Sequence, residues 1–80
     1  MDKNEFEGKW RRIRPRSKLW WSLITEADLN RVDQAEIKHS EFVTRLQLRY
    51  ELDHQTARDM IDRQVTEYEA SLEPGTITPF

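Results

Sequence analysis

The sequence predicts an all-α fold, a small bundle of three to four short helices, and three observations lead to this prediction. Neither glycine nor proline occurs between Arg16 and Glu73, a stretch rich in helix-forming residues. Apolar residues recur there at steps of three and four, as on one face of a helix. Thr, Ser or Asp precedes each later predicted helix, where its side chain can cap the first turn. Short amphipathic helices with brief connections pack as a bundle.

The 80-residue chain is expected to form one helical-bundle domain over residues 1–72, followed by a flexible C-terminal tail over residues 73–80. Charged residues make up 35% of the chain and hydrophobic residues 36%, so the core must be small and rely on aromatic side chains. There is no cysteine, which fits a reducing compartment. No apolar run is long enough for a signal peptide or a membrane span, so we expect a cytoplasmic protein without a transmembrane segment.

The N-terminal part is expected to form two short helices separated by a proline. Phe6, Trp10 and Ile13 lie at steps of four and three, on one face of the first helix. Pro15 is expected to end that helix, because proline lacks an N–H and disfavours helical geometry in the residue before it. A second short helix is then predicted over about residues 17–23.

Thr25 is predicted to cap the next helix, whose Leu29 faces inward. The stretch over residues 33–41 is compatible either with a continued helix or with a loose connection. Ser40 is predicted to cap a further helix. The apolar face of that helix comprises Phe42, Val43, Leu46 and Tyr50.

The most regular helix is predicted to follow Asp53, which is its expected N-cap. Its apolar residues recur at steps of four, four, three and four, and Pro74 and Gly75 are expected to end it. These apolar residues are Ala57, Ile61, Val65, Tyr68 and Leu72.

Motifs in these helices follow the order W-x-x-[LI], W-G-x-L-T-x-x-D-L and L-Q-x-R-Y-G, and then an alanine and an aliphatic residue in a last helix. The matching residues are Trp10, Ile13, Trp21, Ile24, Thr25, Asp28, Leu29, Val32, Leu46, Gln47, Arg49, Tyr50, Ala57 and Ile61. In this order and spacing the chain resembles the CsbD-like general-stress proteins of bacteria. The resemblance implies a small helical bundle made in response to stress. It implies no agreed biochemical activity and supplies no catalytic residues.

The chain departs from the family pattern where glycines are replaced by Ser22, Thr44 and Glu51. The segment over residues 33–41 is also about three residues longer than the resemblance implies. The replacement at Glu51 puts a helix C-cap in question, because glycine tolerates the left-handed conformation that glutamate disfavours.

The sequence holds no recognisable catalytic, phosphate-binding or metal-binding motif. The two histidines, His39 and His54, are fifteen residues apart and lack a compact ligand spacing. No G-x-S-x-G element is present, and two isolated glycines cannot form a phosphate-binding loop. We therefore expect no enzymatic activity, no metal site and no cofactor.

Positive charge is concentrated near the N-terminus. Residues 1–18 carry a net charge of +4, whereas residues 19–80 carry −6. Six cations follow one another without an intervening acid, and we call them the basic segment. They are Lys9, Arg11, Arg12, Arg14, Arg16 and Lys18.

The basic segment has three alternative interpretations. Beside Trp10, Trp20 and Trp21 it could contact nucleic-acid phosphates while the rings stack on bases, or meet anionic lipid headgroups. It could equally be a solvated face balanced by the acidic later helices. In that case Arg11 or Arg12 would lie near Asp62 or Glu69. The acidic remainder of the chain disfavours tight binding to nucleic acid.

Two adjacent pairs of large apolar residues complicate the packing. Side chains one position apart on a helix point about 100° apart, so Trp20 and Trp21 can both be buried only if the segment is covered on two sides, and the same holds for Leu23 and Ile24. Either both members of a pair are core or half-buried, or one member is exposed. An exposed patch of Trp20 and Leu23 would bind a protein partner or mediate self-association. The favoured function is therefore a non-enzymatic stress-response protein that acts through this helical surface. The alternative is a weak binder of nucleic acid or of an anionic surface through the basic segment.

Overall fold

The computed structural model describes residues 2–72, and within that range it contains four α-helices and no β-strand. Helix α1 spans Lys3–Trp20, α2 spans Glu26–Gln34, α3 spans Lys38–Tyr50 and α4 spans His54–Leu72. The predicted all-α bundle of three to four short helices is confirmed. The expected tail over residues 73–80 and the expected inward position of Leu72 lie outside the description. No helix between residues 2 and 72 combines the length and apolar character needed to cross a bilayer.

Helix α3 lies at the centre of the bundle and packs against the other three helices. The ring of Phe42 on α3 has its centroid 5.7 Å from that of Phe6, 5.6 Å from that of Trp10 and 5.3 Å from that of Trp21. These aromatic contacts join α1 and the segment after it to α3, and large rings bury much apolar area for few residues. The remaining buried apolar residues of the core are Ile13, Ile24, Leu29, Val32, Val43, Leu46, Ala57, Ile61 and Val65.

Helix α1 continues through Pro15 to Trp20, so the predictions that Pro15 ends the first helix and that residues 17–23 form a separate helix are wrong. The buried face persists beyond the proline, because Ser17 is buried and its hydroxyl donates to the Ile13 carbonyl at 2.9 Å. Pro15 itself is exposed, and so is Arg11, whose carbonyl loses its helical donor. Water can satisfy that carbonyl, and the packing of the opposite face stabilises the helix across the proline.

Two predicted N-caps are confirmed. The Thr25 hydroxyl accepts from the Asp28 backbone N–H at 3.2 Å, and the Asp28 carboxylate accepts from the Thr25 N–H at 3.0 Å. This reciprocal pair is a capping box, which satisfies two N–H groups at the start of α2. At the start of α4, the Asp53 carboxylate accepts from the Thr56 N–H at 2.8 Å.

The predicted cap at Ser40 is wrong, because α3 already begins at Lys38 with Ile37 in the N-cap position. Ile37 offers no side-chain acceptor, and Ser40 lies within the first turn. Residues 35–37 connect α2 to α3, so the stretch over residues 33–41 consists of two helix ends and a short connection. The missing cap is compensated by tertiary packing of the first turns of α3, where His39 and Phe42 are buried.

Glu51 ends α3 in the left-handed conformation, with φ 54° and ψ 50°, and is the one non-glycine residue between positions 2 and 72 with positive φ. Its N–H and that of Leu52 both bond to the Gln47 carbonyl. The tight turn to α4 therefore forms without the glycine that this geometry favours, and the chain bears the steric cost.

Replacing Glu51 with glycine is expected to raise the free energy of unfolding by about 1 kcal/mol, because glycine adopts positive φ without steric cost. Urea denaturation at pH 7 measures the change. Glu51→Ala is the matched control, since it removes the same carboxylate and keeps the Cβ. Equal stability of the glycine and alanine variants would contradict the assignment of strain to this residue.

Candidate interaction surface

The basic segment lies entirely on α1, and its first member is held by the last helix. The Lys9 ammonium is 2.7 Å from the Glu69 carboxylate on α4. The expectation that Arg11 or Arg12 lies near Asp62 or Glu69 is wrong, because Lys9 occupies that position. The first and last helices are therefore joined by an ion pair, as expected, through a different cation.

Two further cations of the segment are bound by acids of α2. The Arg14 guanidinium lies 2.9 Å from Asp33 and 2.9 Å from Glu26, and the Lys18 ammonium lies 2.9 Å from Glu26. Asp33 also accepts from the indole N–H of Trp10 at 2.7 Å. The hydrogen bond from Lys18, and then that from Arg14, lower the pKa of the Glu26 carboxyl. Arg14 and Lys18 thus position α1 against α2.

The other three members, Arg11, Arg12 and Arg16, are exposed, and we call them the outer cations. The guanidinium groups of Arg11 and Arg12 form no ion pair or hydrogen bond with any residue between 2 and 72. The Arg16 guanidinium lies 4.6 Å from the centre of the Tyr68 ring, a cation–π contact that leaves its charge without a carboxylate in the same range. The structure therefore divides the basic segment into three bound and three uncompensated cations.

The two adjacent pairs at the end of α1 differ, because Leu23–Ile24 has an exposed member whereas Trp20–Trp21 has none. Trp21 and Ile24 belong to the core, whereas Leu23 is 51% exposed. Trp20 is half-buried, and its ring lies edge-on to Trp21 at 5.6 Å and to Tyr68 at 5.4 Å between centroids. Trp20 is therefore a fixed aromatic at the edge of the core and Leu23 a free side chain.

Leu19 is a member of this surface that the sequence reasoning missed. It is 80% exposed, more than any other large apolar residue that the structure describes. We define the end surface as Leu19, Trp20 and Leu23. Leu19 was overlooked because a helix that ends at Pro15 would not continue to this residue. In a continuous helix, Leu19 lies one turn after Arg16 and two turns after Arg12. A continuous α1 carries Arg12 and Leu19 on its outward side, away from the buried Ser17, whereas Arg16 lies at the edge that faces Tyr68 of α4.

A buried ionic cluster centres on Asp28, whose side chain is only 2% exposed. Its two carboxylate oxygens accept from Arg49 at 2.8 and 3.0 Å, and Arg45 lies 3.7 Å away. Burial alone would raise its pKa, but the bonds from Arg49 and Thr25 outweigh burial and lower the pKa of Asp28 to about 2. With its lone pairs engaged, this carboxylate joins α2 to α3.

His39 is a buried titratable group near the start of α3. Its ring lies edge-on to Phe6 at 5.2 Å, and its Nε2 has no hydrogen-bond partner among residues 2–72. Burial lowers the pKa of His39 below its usual 6.5, against the opposing charge of Asp62 and with a smaller lowering contribution from Arg58. The surroundings therefore favour the neutral imidazole over the charged form in the folded protein.

The free energy of unfolding is expected to fall as the pH drops from about 6.5 towards 5, because the unfolded chain binds a proton at His39 that the folded chain resists. Above about pH 6.5 this histidine contributes its full share of stability. His39→Gln should flatten the decline, as measured by urea denaturation at pH 7, 6 and 5. His54→Gln, which alters an exposed histidine, should leave the decline intact. A decline that is unchanged in His39→Gln would contradict the assignment.

Two surface clefts are lined by residues other than Leu19, Trp20 and Leu23. One of about 380 Å³ is lined by Lys3, Asn4, Glu7, Glu36 and Ile37. The other, of about 340 Å³, runs along α4 and is lined by Trp21, Thr56, Asp59, Met60, Arg63, Gln64 and Glu67. Among residues 2–72, no three His, Asp or Glu side chains lie close enough together to hold one metal ion.

Comparisons of the chain with protein-family models, with curated proteins and with solved structures found no match. The resemblance to CsbD-like proteins stays a prediction.

Proposed function

We propose that this protein is a non-enzymatic binding protein that acts through the end surface of α1. One observation carries the proposal. Leu19 and Leu23 are 80% and 51% exposed beside Trp20, whose ring is fixed by Trp21 and Tyr68. Exposed aliphatic side chains around an ordered aromatic are typical of binding surfaces, where burial of a few such residues supplies most of the affinity.

The setting of this function follows from the resemblance to CsbD-like proteins. We propose that the protein is made under stress and works in the cytoplasm, where a chain without cysteine needs no oxidising environment. Binding of a partner to the end surface requires no catalytic group in this protein. Comparing protein levels during exponential growth, osmotic stress and stationary phase tests this part of the proposal, and constant levels would contradict it.

A second candidate function is binding of an anionic partner through the outer cations. The observation in its favour is that Arg11, Arg12 and Arg16 have no carboxylate partner between residues 2 and 72. Nucleic acid is the less favoured form of this partner. Trp10 and Trp21 are buried in the core, so their faces are not available to stack on bases.

Photo-crosslinking in cells tests the end surface directly. A photoreactive amino acid at position 19 is expected to form adducts, and a Leu23→Ser change in the same chain should reduce their yield. Position 48 is the matched control, because Leu48 is 62% exposed and lies on α3, outside the end surface. Equal adduct yields from positions 19 and 48, or none from either, would contradict the proposal.

A further inference from the structure

The charge on the outward side of α1 has no complement within the described chain. The acids nearest to α1 are engaged, since Glu26 binds Arg14 and Lys18, and Glu69 binds Lys9. The outer cations therefore keep their positive charge although the whole chain has a net charge of −2. An anionic partner brought from outside would neutralise them at close range.

The outer cations and Leu19 are exposed residues of α1, and the exposed Leu23 follows shortly after the end of this helix. Arg12 and Leu19 are seven residues, or two turns, apart on the outward side of α1, and Arg16 lies between them in sequence at the edge where its guanidinium contacts Tyr68 of α4. Leu23 follows in the next segment, where its N–H donates to the Tyr50 hydroxyl at 3.0 Å and fixes the chain there. Cationic and aliphatic side chains are thus presented together, with the leucines at one end.

This surface is convex, because it is the outer face of one helix, and the two described clefts have other linings. A helix that presents cations beside an exposed apolar side chain can lie in the plane of a lipid interface. The leucines enter the boundary of the acyl chains, and the guanidinium groups remain among the phosphates. A deep groove or a paired strand is not needed for such binding.

Aliphatic residues at the exposed position favour lipid over nucleic acid. Single-stranded nucleic acid is bound by stacking of bases on accessible aromatic faces, and Trp20 is half-buried between Trp21 and Tyr68. Leu19 offers an apolar side chain without a stacking face. From these observations we infer that the partner of the end surface is the surface of an anionic lipid bilayer, an inference that rests on the function proposed above.

Flotation of the full chain with vesicles tests the inference. Vesicles of phosphatidylcholine with one third phosphatidylglycerol are expected to bind the protein, whereas pure phosphatidylcholine is expected to bind it at least about tenfold more weakly. Added salt should weaken binding to the anionic vesicles, since the guanidinium–phosphate attraction is screened. Leu19→Ser with Leu23→Ser, and separately Arg11→Gln with Arg12→Gln, should each weaken binding about tenfold.

Matched controls exist on other faces of the bundle. Leu48→Ser removes one exposed leucine from α3, and Arg31→Gln with Arg63→Gln removes two exposed cations from α2 and α4. These variants should bind the anionic vesicles as the unaltered protein does. Circular dichroism of each variant verifies the fold, which substitutions of exposed residues should preserve.

Several results would overturn the inference. Equal binding to neutral and anionic vesicles would do so, as would binding that neither pair of variants weakens. Retention of a labelled single-stranded RNA without binding to anionic vesicles would assign the outer cations to nucleic acid. If vesicles do not bind while position 19 still forms adducts with a protein in cells, the lipid inference fails and the proposed function stands. Absence of both vesicle binding and adducts would contradict the lipid inference and the proposed function together.

Discussion

Replacing Asp28 with asparagine is expected to lower the free energy of unfolding by about 3 kcal/mol, the lower end of the usual cost of breaking a buried ion pair. The lower end applies because Arg49 is 42% exposed at the side chain, so part of its charge stays hydrated. Asparagine keeps the size of the side chain and can still cap α2 through Thr25. It removes the negative charge that Arg49 and Arg45 share. Urea denaturation at pH 7 measures the loss.

The same carboxylate has a defined pH dependence. The pKa of Asp28 is lowered from its usual 3.8 to about 2 in the folded protein. Its contribution is therefore fully present above about pH 4 and is lost progressively as the pH falls from about 4 towards 2. The difference in stability between the unaltered protein and Asp28→Asn should narrow over that interval.

Asp53→Asn serves as the control, because Asp53 is an exposed N-cap at which asparagine is an equally good acceptor. Its stability at pH 7 should stay close to that of the unaltered protein. Equal losses in the Asp28 and Asp53 variants would show that capping, and not the pairing with Arg49, accounts for the effect.

The parts of the fold that the sequence predicted correctly depend on neighbours in the chain. The steps between Ala57, Ile61 and Val65 place them on one face, and all three are buried. Thr25 and Asp53 cap helices through side chains that reach only three residues ahead. Periodicity and capping are both local properties, so one sequence is enough to predict them.

The first helix shows what local rules miss. Asp2 and Glu5 form a capping box at its start, a short motif that was readable in the sequence and was overlooked. The continuation of α1 through Pro15 could not be predicted in the same way. The destabilising effect of proline acts within the helix, whereas the burial of Ser17 and of the neighbouring core residues compensates for it. That compensation depends on helices far away in the chain.

The cations of the candidate site could be predicted from the sequence, but their ion pairs could not. The sequence locates the six cations, but Lys9 meets Glu69 across sixty positions and Lys18 meets Glu26 across eight. Only the packed structure separates such bound cations from the outer ones. The same limit applies to Asp28, whose partner Arg49 is 21 residues away.

Replacing Pro15 with alanine is expected to raise the free energy of unfolding by about 2 kcal/mol. Removing proline from the interior of a helix stabilises the folded state by about 3 kcal/mol. The unfolded chain becomes more flexible without proline, which reduces this gain by about 1 kcal/mol. Alanine restores an N–H that can bond to the Arg11 carbonyl. Urea denaturation gives the gain in stability, and amide hydrogen exchange at position 15 shows whether the new bond forms.

Gly8→Ala is the matched change on the same exposed side of α1. A Cβ at position 8 meets no atom within 4 Å, so only the helix propensity changes, and the gain should be about 1 kcal/mol. Pro15→Ala is therefore expected to raise the free energy of unfolding more than Gly8→Ala does. If Gly8→Ala stabilised the protein while Pro15→Ala did not, α1 would be interrupted at the proline. The placement of Arg12 and Leu19 on one side of α1 depends on that continuity, so the surface proposed to bind lipid would then lose its geometric basis.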